Sequence, residues 1–422
     1  MAIAPWFEEA ALGLFVHWDH TSQQGIEISW PLVDRSIIPG REHAEAQITA
    51  AQYHATAATF NPQRWDASQL ARLARNSGVR YLIFTARHHA GYSMFHTKQS
   101  EYSIEHSPYQ ADITREIFDA LRKEGVRVGL YYSLSDWHHP DYPSFTDEDR
   151  PYSIHNNRRS APEAWARYID YVKAQLRELL TGYGQIDLIW FDGEWERTEE
   201  EWRPKEIRDL VKSLQPNVVI NDRLLGQGDY ATPEQGMPAT PPDSPWEMCL
   251  SIGESWAWRP DDTDFKPPRQ LAEYLAETVS RGGNLLLGLA IKDDGTFPAG
   301  EVSRVKSLGA WLATHGESIY GTRPASKDIQ FHGPITTRQN WIYLHLVMIP
   351  IGKAVVRGLP VRRIADVKLL GTEDSLKYTV NLEIHESDEN DVDVTGELFI
   401  DFPGPTGALI DVIAIELLKD AN

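Results

Sequence analysis

An apolar run that ends in one carboxylate marks a buried strand in this chain: Ile186-Asp187-Leu188-Ile189-Trp190-Phe191-Asp192-Gly193. Its length and composition are typical of such a strand, and the glycine that follows indicates a turn. An Asp beside aromatic residues at a strand end suits core packing poorly, because a buried charge is costly unless it is paired. The same placement suits chemistry on a polar ligand with an apolar face, such as a sugar.

Helical and strand-like segments alternate on both sides of this run, up to about residue 320. A helical pattern covers residues 162–180 before the run, and another covers residues 207–214 after it. The strands predicted in this part cover residues 12–18, 81–85, 126–132, 186–191, 218–221, 248–251 and 284–287. Such alternation indicates a parallel α/β fold. About seven or eight βα units favour a (β/α)8 TIM-like barrel over an open sheet.

The last hundred residues have a different pattern. Of the 14 tryptophans, all but Trp341 lie at or before Trp311. Short β-branched runs separated by turn residues follow, at positions 341–349, 354–356, 367–370, 378–384 and 409–417. This pattern is typical of an antiparallel β-sandwich. We therefore predict a catalytic barrel over residues 1–322 and a C-terminal β-sandwich domain over residues 323–422.

Composition excludes several classes of partner. The 422 residues carry a formal net charge of −20, from 61 acidic and 41 basic side chains. Nucleic acids and anionic membranes require basic patches, so we expect neither as a partner. Cys249 is the single cysteine, so no intramolecular disulfide can form. The N-terminus does not have the pattern of a signal peptide, which predicts a cytoplasmic protein, with a trimmed secreted chain as the alternative. Homo-oligomerisation stays open.

Polar and aromatic residues recur where the predicted strands end. In a (β/α)8 barrel these ends form the active site. The candidates are His17, His88, His89, Tyr131, Trp190, Asp192 and Arg223, followed by Glu234, Glu247, Glu254 and Trp256. Tryptophan can cover the apolar face of a sugar, while histidine and arginine can bind its hydroxyls. Glycoside cleavage usually requires two carboxyl groups, one as proton donor and one to attack or to activate water.

The histidines have two other interpretations. The pair His88-His89 could be a structural feature with satisfied hydrogen bonds. Histidines near strand ends, together with Asp192, could also bind a metal ion. However, the chain has no His-x-His or His-Glu-x-x-His spacing, and no Gly-x-Gly-x-x-Gly follows the first strand. We therefore predict neither a metal nor a cofactor.

Several separated motifs occur in one order over about 300 residues. They are Gly13-Leu14-Phe15-Val16-His17-Trp18, Phe60-Asn61-Pro62, Thr85-Ala86-Arg87-His88-His89-Ala90-Gly91-Tyr92, Gly129-Leu130-Tyr131-Tyr132-Ser133, Trp190-Phe191-Asp192-Gly193, Trp246-Glu247, Ser255-Trp256 and Ser280-Arg281-Gly282-Gly283-Asn284. Through these motifs the chain resembles the α-L-fucosidases of glycoside hydrolase family 29. The resemblance implies an exo-acting enzyme that hydrolyses terminal α-L-fucosyl linkages with retention of configuration.

The resemblance also implies roles for individual residues. Asp192 would be the nucleophile, and the fucose pocket would be lined by His17, His88, His89, Tyr131, Trp190, Arg223 and Trp256. For the acid/base residue the order of preference is Glu234, then Glu247, then Glu254. The expected partner is a fucosylated oligosaccharide or glycoconjugate.

The chain departs from the family pattern at the rim of the pocket. Ala90 stands where an Asp commonly follows the histidine pair, and Asp19 stands where Gly often follows His-Trp. Linkage preference therefore cannot be carried over. The departures also motivate a rival hypothesis, a non-catalytic fucose-binding protein on a degenerate barrel. A further rival is a metal-dependent hydrolase that uses the histidine cluster.

Overall fold

The described part of the chain contains a seven-stranded parallel sheet. The computed structural model describes residues 3–34, 48–143, 152–153, 158–372, 375–382 and 394–418. The strands are β1 Leu12–His17, β2 Tyr81–Arg87, β3 Arg127–Ser133, β4 Leu188–Asp192, β5 Val219–Ile220, β6 Trp246–Leu250 and β7 Gly283–Ala290. Their spatial order is β5-β4-β3-β2-β1-β7-β6, and every neighbouring pair is parallel. The parallel α/β fold predicted from the alternation is confirmed.

The sheet is curled, so that one of its faces forms an interior. Every residue of β1, β2 and β7 is buried, as expected for parallel strands that are covered on both faces. Side chains from all seven strands meet in one inner cluster, which includes Phe15, Tyr81, Tyr131, Leu188, Trp190, Val219, Cys249 and Leu286. A flat sheet could not bring its two edge strands into the same cluster.

Helices lie outside the curled sheet. They are α1 Pro5–Ala10, α2 Ala50–Ala55, α3 Ala67–Asn76, α4 Ile113–Lys123, α5 Pro162–Gly182, α6 Glu199–Trp202, α7 Pro204–Leu214, α8 Pro268–Ser280 and α9 Ala299–His315. In α4 the Asp112 carboxylate accepts from the backbone N–H of Arg115 and so caps the first turn. Ile117, Phe118 and Leu121 recur at helical spacing and are buried against the sheet.

An irregular segment, residues 229–235, lies between the two edge strands of the sheet. Isolated bridges join Asn221 to Tyr230, Ala231 to Trp246 and Glu234 to Cys249. The backbone N–H of Asp229 donates to the Ile220 carbonyl (2.6 Å), and that of Gln235 donates to the Cys249 carbonyl (2.8 Å). The segment therefore pairs with β5 on one side and with β6 on the other.

Helix α1 covers the N-terminal end of the curled sheet. The Phe7 ring packs against Tyr230, with 4.5 Å between ring centroids. The Asn284 side chain donates to the Phe7 carbonyl (2.7 Å) and accepts from the Ala11 N–H (2.8 Å). These contacts fill the N-terminal end, so the interior opens at the carboxyl ends of the strands.

Antiparallel sheets follow the parallel one. The strands are β8 Arg323–Pro324, β9 Ile335–Arg338, β10 Trp341–His345, β11 Lys353–Pro360, β12 Ile364–Leu369, β13 Tyr378–Leu382, β14 Thr395–Asp401 and β15 Val412–Leu417. They form one sheet in the order β8-β9-β10-β15-β12 and another in the order β11-β14-β13. Buried residues of both sheets, such as Leu344 and Leu398, share one hydrophobic cluster. Residues 383–384 of the predicted strand 378–384 lie outside the described residues. A two-residue parallel pair, Val33–Asp34 with Tyr152–Ser153, lies apart from these sheets.

None of the helices in the described ranges has the length and apolar character needed to cross a membrane.

Candidate active site

A cavity of about 350 Å³ opens at the carboxyl ends of the parallel strands. Its lining residues are Phe15, His17, Trp30, His88, Tyr131, Trp190, Asp192, Trp195, Arg223, Glu234, Cys249 and Trp256. The structure thus brings together most of the residues singled out in the sequence. His89 lies immediately behind this lining, whereas Glu247 and Glu254 lie elsewhere.

Strand β4 places Asp192 at the cavity. Asp192 is the last residue of the strand and lies in register with Ser133 at the end of β3. Gly193 then turns the chain at φ +79°, and a Cβ there would collide with Ser135 Oγ. The turn therefore requires glycine both for its backbone conformation and for its close packing.

Three side chains surround the Asp192 carboxylate. The Tyr131 hydroxyl donates to Oδ2 (2.8 Å), the Arg223 guanidinium binds Oδ1 (2.9 Å), and His89 Nε2 lies 3.6 Å from Oδ2. Burial alone would raise the pKa of Asp192, but the charges of Arg223 and His89 and the hydrogen bonds from Arg223 and Tyr131 outweigh it and lower that pKa below its ordinary value. The ionised carboxylate is therefore the favoured form of Asp192.

Arg223 joins Asp192 to a second carboxylate. Its Nη1 binds Asp192, and its Nη2 donates to Glu234 Oε2 (2.7 Å). The guanidinium also lies over the Trp190 ring, 4.3 Å from the centroid. Glu234 comes from the segment 229–235 and remains exposed to solvent. One cation thus holds a buried carboxylate and an accessible one at the same cavity.

Glu247, the second choice for the acid/base residue, is not brought to the cavity. It is fully buried inside the curled sheet, where its carboxyl accepts from the Tyr81 hydroxyl, the Trp190 indole N–H (3.1 Å) and the Tyr230 hydroxyl (3.4 Å). Burial raises the pKa of Glu247 to about 7, although these hydrogen bonds oppose the rise. Both carboxyl oxygens accept hydrogen bonds from these buried side chains. Glu247 therefore holds the Trp190 indole in place and does not face a ligand.

Glu254, the third choice, lies in a separate depression next to the cavity, together with Gln235 and Ser251. Its side chain is exposed, and its backbone N–H donates to the Asp262 carboxylate.

His17 and Trp256 form one wall of the cavity. Their rings stack at 5.0 Å with an interplanar angle of 29°. Burial lowers the pKa of His17 to about 3, with Asp192 opposing and His89 adding to the shift, so the imidazole is neutral. Among the described residues, His17 Nδ1 has no hydrogen-bond partner although it is buried. A buried nitrogen atom without a hydrogen-bond partner at a cavity wall is suited to bind a ligand hydroxyl.

His88 and His89 lie next to each other, with 4.1 Å between ring centroids. His88 faces the cavity and stacks on Tyr131 at 5.2 Å and 5°. His89 Nδ1 bonds Ser133 Oγ (2.7 Å), which directs the opposite edge of the ring to Asp192. In the part of the chain that the structure describes, no group of three or more His, Cys, Asp and Glu side chains could hold a metal ion.

Four lining residues were not singled out in the sequence: Phe15, Trp30, Trp195 and Cys249. The alternation of strand residues would have indicated Phe15, because it lies two positions before His17 on the same face of β1. Trp30 and Trp195 stack with 6.2 Å between ring centroids at 17°, and each comes from a single turn of 3-10 helix in a connection between strands. Sequence spacing gives no signal for their meeting.

Glu194 is a further carboxyl that the sequence reasoning passed over. Within the described ranges its Oε2 is buried without a hydrogen-bond partner. Burial, and then the charge of Asp192, raise the pKa of Glu194 to about 8. Both effects favour the protonated form of Glu194 next to the Asp192 carboxylate.

This chain is similar to several known proteins. A family model described as alpha-L-fucosidase matches residues 1–317. The tissue alpha-L-fucosidase of Bos taurus is 32% identical over 411 residues, covering 89% of this chain and 82% of that protein. The solved structure of alpha-L-fucosidase isoenzyme 1 from Paenibacillus thiaminolyticus is similar with a TM-score of 0.82 and 30% identity, and covers 98% of each chain. An alpha-L-fucosidase from Vibrio sp. strain EJY3 has a TM-score of 0.84 at 25% identity, covering 99% of this chain and 74% of that one.

Proposed function

The chain belongs to the α-L-fucosidase family of glycoside hydrolases, and on this premise we propose that it is an exo-acting, retaining enzyme that removes terminal α-L-fucosyl groups from glycans or glycosides. The single observation that carries the proposal is the bridging of Asp192 and Glu234 by Arg223 in one cavity. Two carboxyl groups at one sugar-sized cavity are the minimum that glycoside cleavage usually requires.

In the first step Asp192 attacks the anomeric carbon. The bond from that carbon to the leaving oxygen breaks, and the leaving oxygen takes a proton from Glu234. In the second step water attacks the anomeric carbon and gives a proton back to Glu234, while the bond to Asp192 breaks. Within the described residues Arg223 occupies Oε2 of Glu234, which leaves Oε1 to exchange the proton. Both residues end in their starting states.

The binding of both carboxyl groups by one guanidinium supports retention. Retaining enzymes hold the two groups about 5 Å apart, whereas inverting enzymes leave room for a water at about 6.5–9.5 Å. A single guanidinium that binds one carboxylate through Nη1 and the other through Nη2 favours the shorter spacing. It also limits how far Glu234 can move from the glycosidic bond.

The walls of the cavity support a sugar as the ligand. Trp256, stacked on His17, offers an apolar surface, and the family resemblance puts it near the methyl group of fucose. His17, His88, Tyr131, Trp190 and Arg223 surround the space that the ring would occupy. The combination of apolar walls with a few fixed polar groups is typical of small-molecule sites. The proposed substrate is therefore a fucosylated oligosaccharide or glycoconjugate.

We extend the proposal to the architecture. Residues 229–235 pair with both edge strands and so support a closed (β/α)8-like barrel in which this segment replaces a regular strand. The hydrophobic cluster shared by the two antiparallel sheets supports a β-sandwich, with the division between residues 322 and 323. Cytoplasmic location stays a prediction from the sequence, which itself leaves the oligomeric state open.

Replacement of the nucleophile tests the proposal. In Asp192→Ala, turnover of an aryl α-L-fucoside should fall on the order of 1,000-fold or more. Added azide should fill the space left by the carboxylate and yield β-L-fucosyl azide, the product of one inversion. Asp294→Ala, which removes a carboxylate outside the cavity, is the matched control and should keep its activity. Wild-type turnover in Asp192→Ala would refute the assignment. Fucose binding without turnover by the unmodified protein would favour the binding-protein hypothesis.

A further inference from the structure

Ser29 lies in a backbone conformation that a residue other than glycine rarely adopts. Its φ is +60° and its ψ is −43°, and the residue is fully buried. Strained backbone of this kind costs conformational free energy and persists only where the surroundings enforce it. The adjacent Trp30 lines the cavity. The strained turn is therefore part of the wall of the site.

The Ser29 hydroxyl makes two hydrogen bonds behind the cavity. It accepts from the backbone N–H of Ala90 (2.9 Å) and lies 2.7 Å from His88 Nδ1. Because the Ala90 N–H can only donate, the hydroxyl proton of Ser29 remains free for another acceptor. Two acceptors lie near that proton: His88 Nδ1, and the oxygen of the Tyr53 hydroxyl, which also accepts from the Ser29 backbone N–H (2.7 Å). Of the two, the neutral imidazole nitrogen is the stronger acceptor, because its lone pair is more basic than that of a phenol.

We propose that Ser29 is a positioning residue whose hydroxyl donates to His88 Nδ1 and thereby fixes the imidazole as the tautomer that carries its proton on Nε2. His88 then presents an N–H donor to the cavity, and the sugar hydroxyl that faces it must accept. The identity of the ligand as a sugar rests on the proposed function. The tautomer itself does not.

The surroundings of His88 keep its imidazole neutral, so the tautomer decides which ring nitrogen can donate. Burial, together with His89 and His17, holds the pKa of His88 well below its ordinary value. A neutral imidazole has one N–H, so the partner of one nitrogen decides what the other nitrogen can do. Parallel stacking on Tyr131, at 5.2 Å and 5°, fixes the ring plane. In this setting, loss of the Ser29 hydroxyl frees the proton to move to Nδ1 and removes the donor from the cavity.

A purely structural role for the strained turn is the competing explanation. Glu27, two residues earlier, accepts from the backbone N–H groups of Trp256 (2.8 Å) and Ala257 (2.8 Å), so the turn also ties down another wall. If shape alone mattered, glycine at position 29 would serve as well as serine, because glycine adopts positive φ without strain.

The variants Ser29→Gly and Ser29→Ala separate the two explanations. Both lack the hydroxyl, but glycine relieves the backbone whereas alanine does not. We expect both to lose on the order of 10- to 100-fold in kcat/KM on an aryl α-L-fucoside and in affinity for fucose. Ser29→Gly should unfold at a temperature equal to or above that of Ser29→Ala. Wild-type affinity in Ser29→Gly would overturn the positioning role.

A second measurement reads the tautomer without any sugar. In protein labelled with ¹⁵N-histidine, the two ring nitrogens of His88 give distinct shifts, which are assigned by their absence from His88→Gln. We expect a protonated Nε2 and a bare Nδ1 in the wild-type protein, and a mixture of tautomers in Ser29→Gly. A proton on Nδ1 in the wild-type protein would refute the proposal even if the enzyme hydrolyses fucosides. Conversely, an inactive protein with the expected tautomer would refute only the proposed function.

Discussion

Arg223 organises the candidate site at the scale of single residues. It binds the buried Asp192 and the accessible Glu234 and lies over Trp190, so its position is fixed by two carboxyl groups and one ring. A lysine would supply the charge but not the fork that holds two carboxylates at once. The difference between the carboxyl groups then comes from their environments. Asp192 is buried with a lowered pKa, whereas Glu234 faces solvent.

Alanine at position 234 should give the behaviour of a missing proton donor. We expect kcat to fall about 100-fold or more for aryl fucosides with poor leaving groups, and far less for 2,4-dinitrophenyl fucoside, which leaves without a proton. Added azide should replace water in the second step and yield α-L-fucosyl azide, because two inversions retain configuration. The configuration of the azide product by NMR is the measurement.

Replacement of Glu247 by alanine is the comparison that could overturn the assignment of Glu234 as the acid/base residue. It removes the partner of three buried donors on Tyr81, Trp190 and Tyr230, so we expect the unfolding free energy to fall on the order of 3 kcal/mol. Azide should have no effect. Rescue of Glu247→Ala, together with no rescue of Glu234→Ala, would move the acid/base role to Glu247.

The sequence identified the residues of this site that lie at strand ends. His17, Asp192 and Arg223 follow apolar runs, and parallel strands bring their carboxyl ends together. It could not place Ser29 or Trp195, because loops carry no period from which a direction could be read. The order of Glu234 above Glu247 came only from the family resemblance, and no pattern in the residues themselves supports it. Their difference in burial depends on how residues 229–235 pass between two strands that are distant in sequence order.

Among the structural elements, the segment 229–235 links the architecture to the site. It hydrogen-bonds to β5 and β6 and carries Glu234. Gln235 then turns the chain at φ +57°, and its side-chain oxygen accepts from the Ser251 N–H (3.3 Å) and hydroxyl (3.2 Å). These bonds attach the residue after Glu234 to the end of β6 and so restrain the proton donor.

Loss of the Gln235 side chain should therefore act through Glu234. In Gln235→Ala and Gln235→Gly we expect kcat to fall about tenfold for phenyl fucoside and little for 2,4-dinitrophenyl fucoside, since only the former requires the proton. The glycine variant tolerates the positive φ and controls for backbone strain. Equal losses on both substrates would instead indicate general damage to the pocket.

The strands themselves were predicted with unequal success, for a physical reason. Parallel strands buried on both faces are continuous apolar runs, so β1 and β4 were found within two residues of their observed ends. Half-exposed antiparallel strands alternate and are weaker signals. Ile335–Arg338 and Thr395–Asp401 were missed, because each mixes polar residues or glycine with its buried positions.

At the scale of the whole molecule, buried titratable groups give stability two opposing dependences on pH. Burial raises the pKa of Glu247 and Glu301 to about 7, so their contribution is complete below the unfolded value of 4.5 and is lost as pH rises through 7. Burial lowers the pKa of His17 and His345 to about 3, so their contribution is complete above 6.5 and is lost as pH falls towards 3. Between pH 4.5 and 6.5 the two slopes oppose each other, which predicts a broad optimum.

His345 allows the acid side to be tested away from the active site. His345 is fully buried at the end of β10. Its Nε2 lies 3.1 Å from Thr336 Oγ1, and the Thr336 hydroxyl donates to the Ser318 carbonyl (2.7 Å), which belongs to the segment after α9. Below pH 6.5 the imidazole at position 345 binds a proton in the unfolded chain but stays neutral in the folded chain.

In His345→Gln the fall in unfolding free energy between pH 6.5 and 4 should be shallower by up to about 1.4 kcal/mol per pH unit. Urea unfolding at a series of pH values measures it. Above pH 7 the two proteins should run parallel, and parallel curves over the whole range would contradict the neutral, buried state of this imidazole.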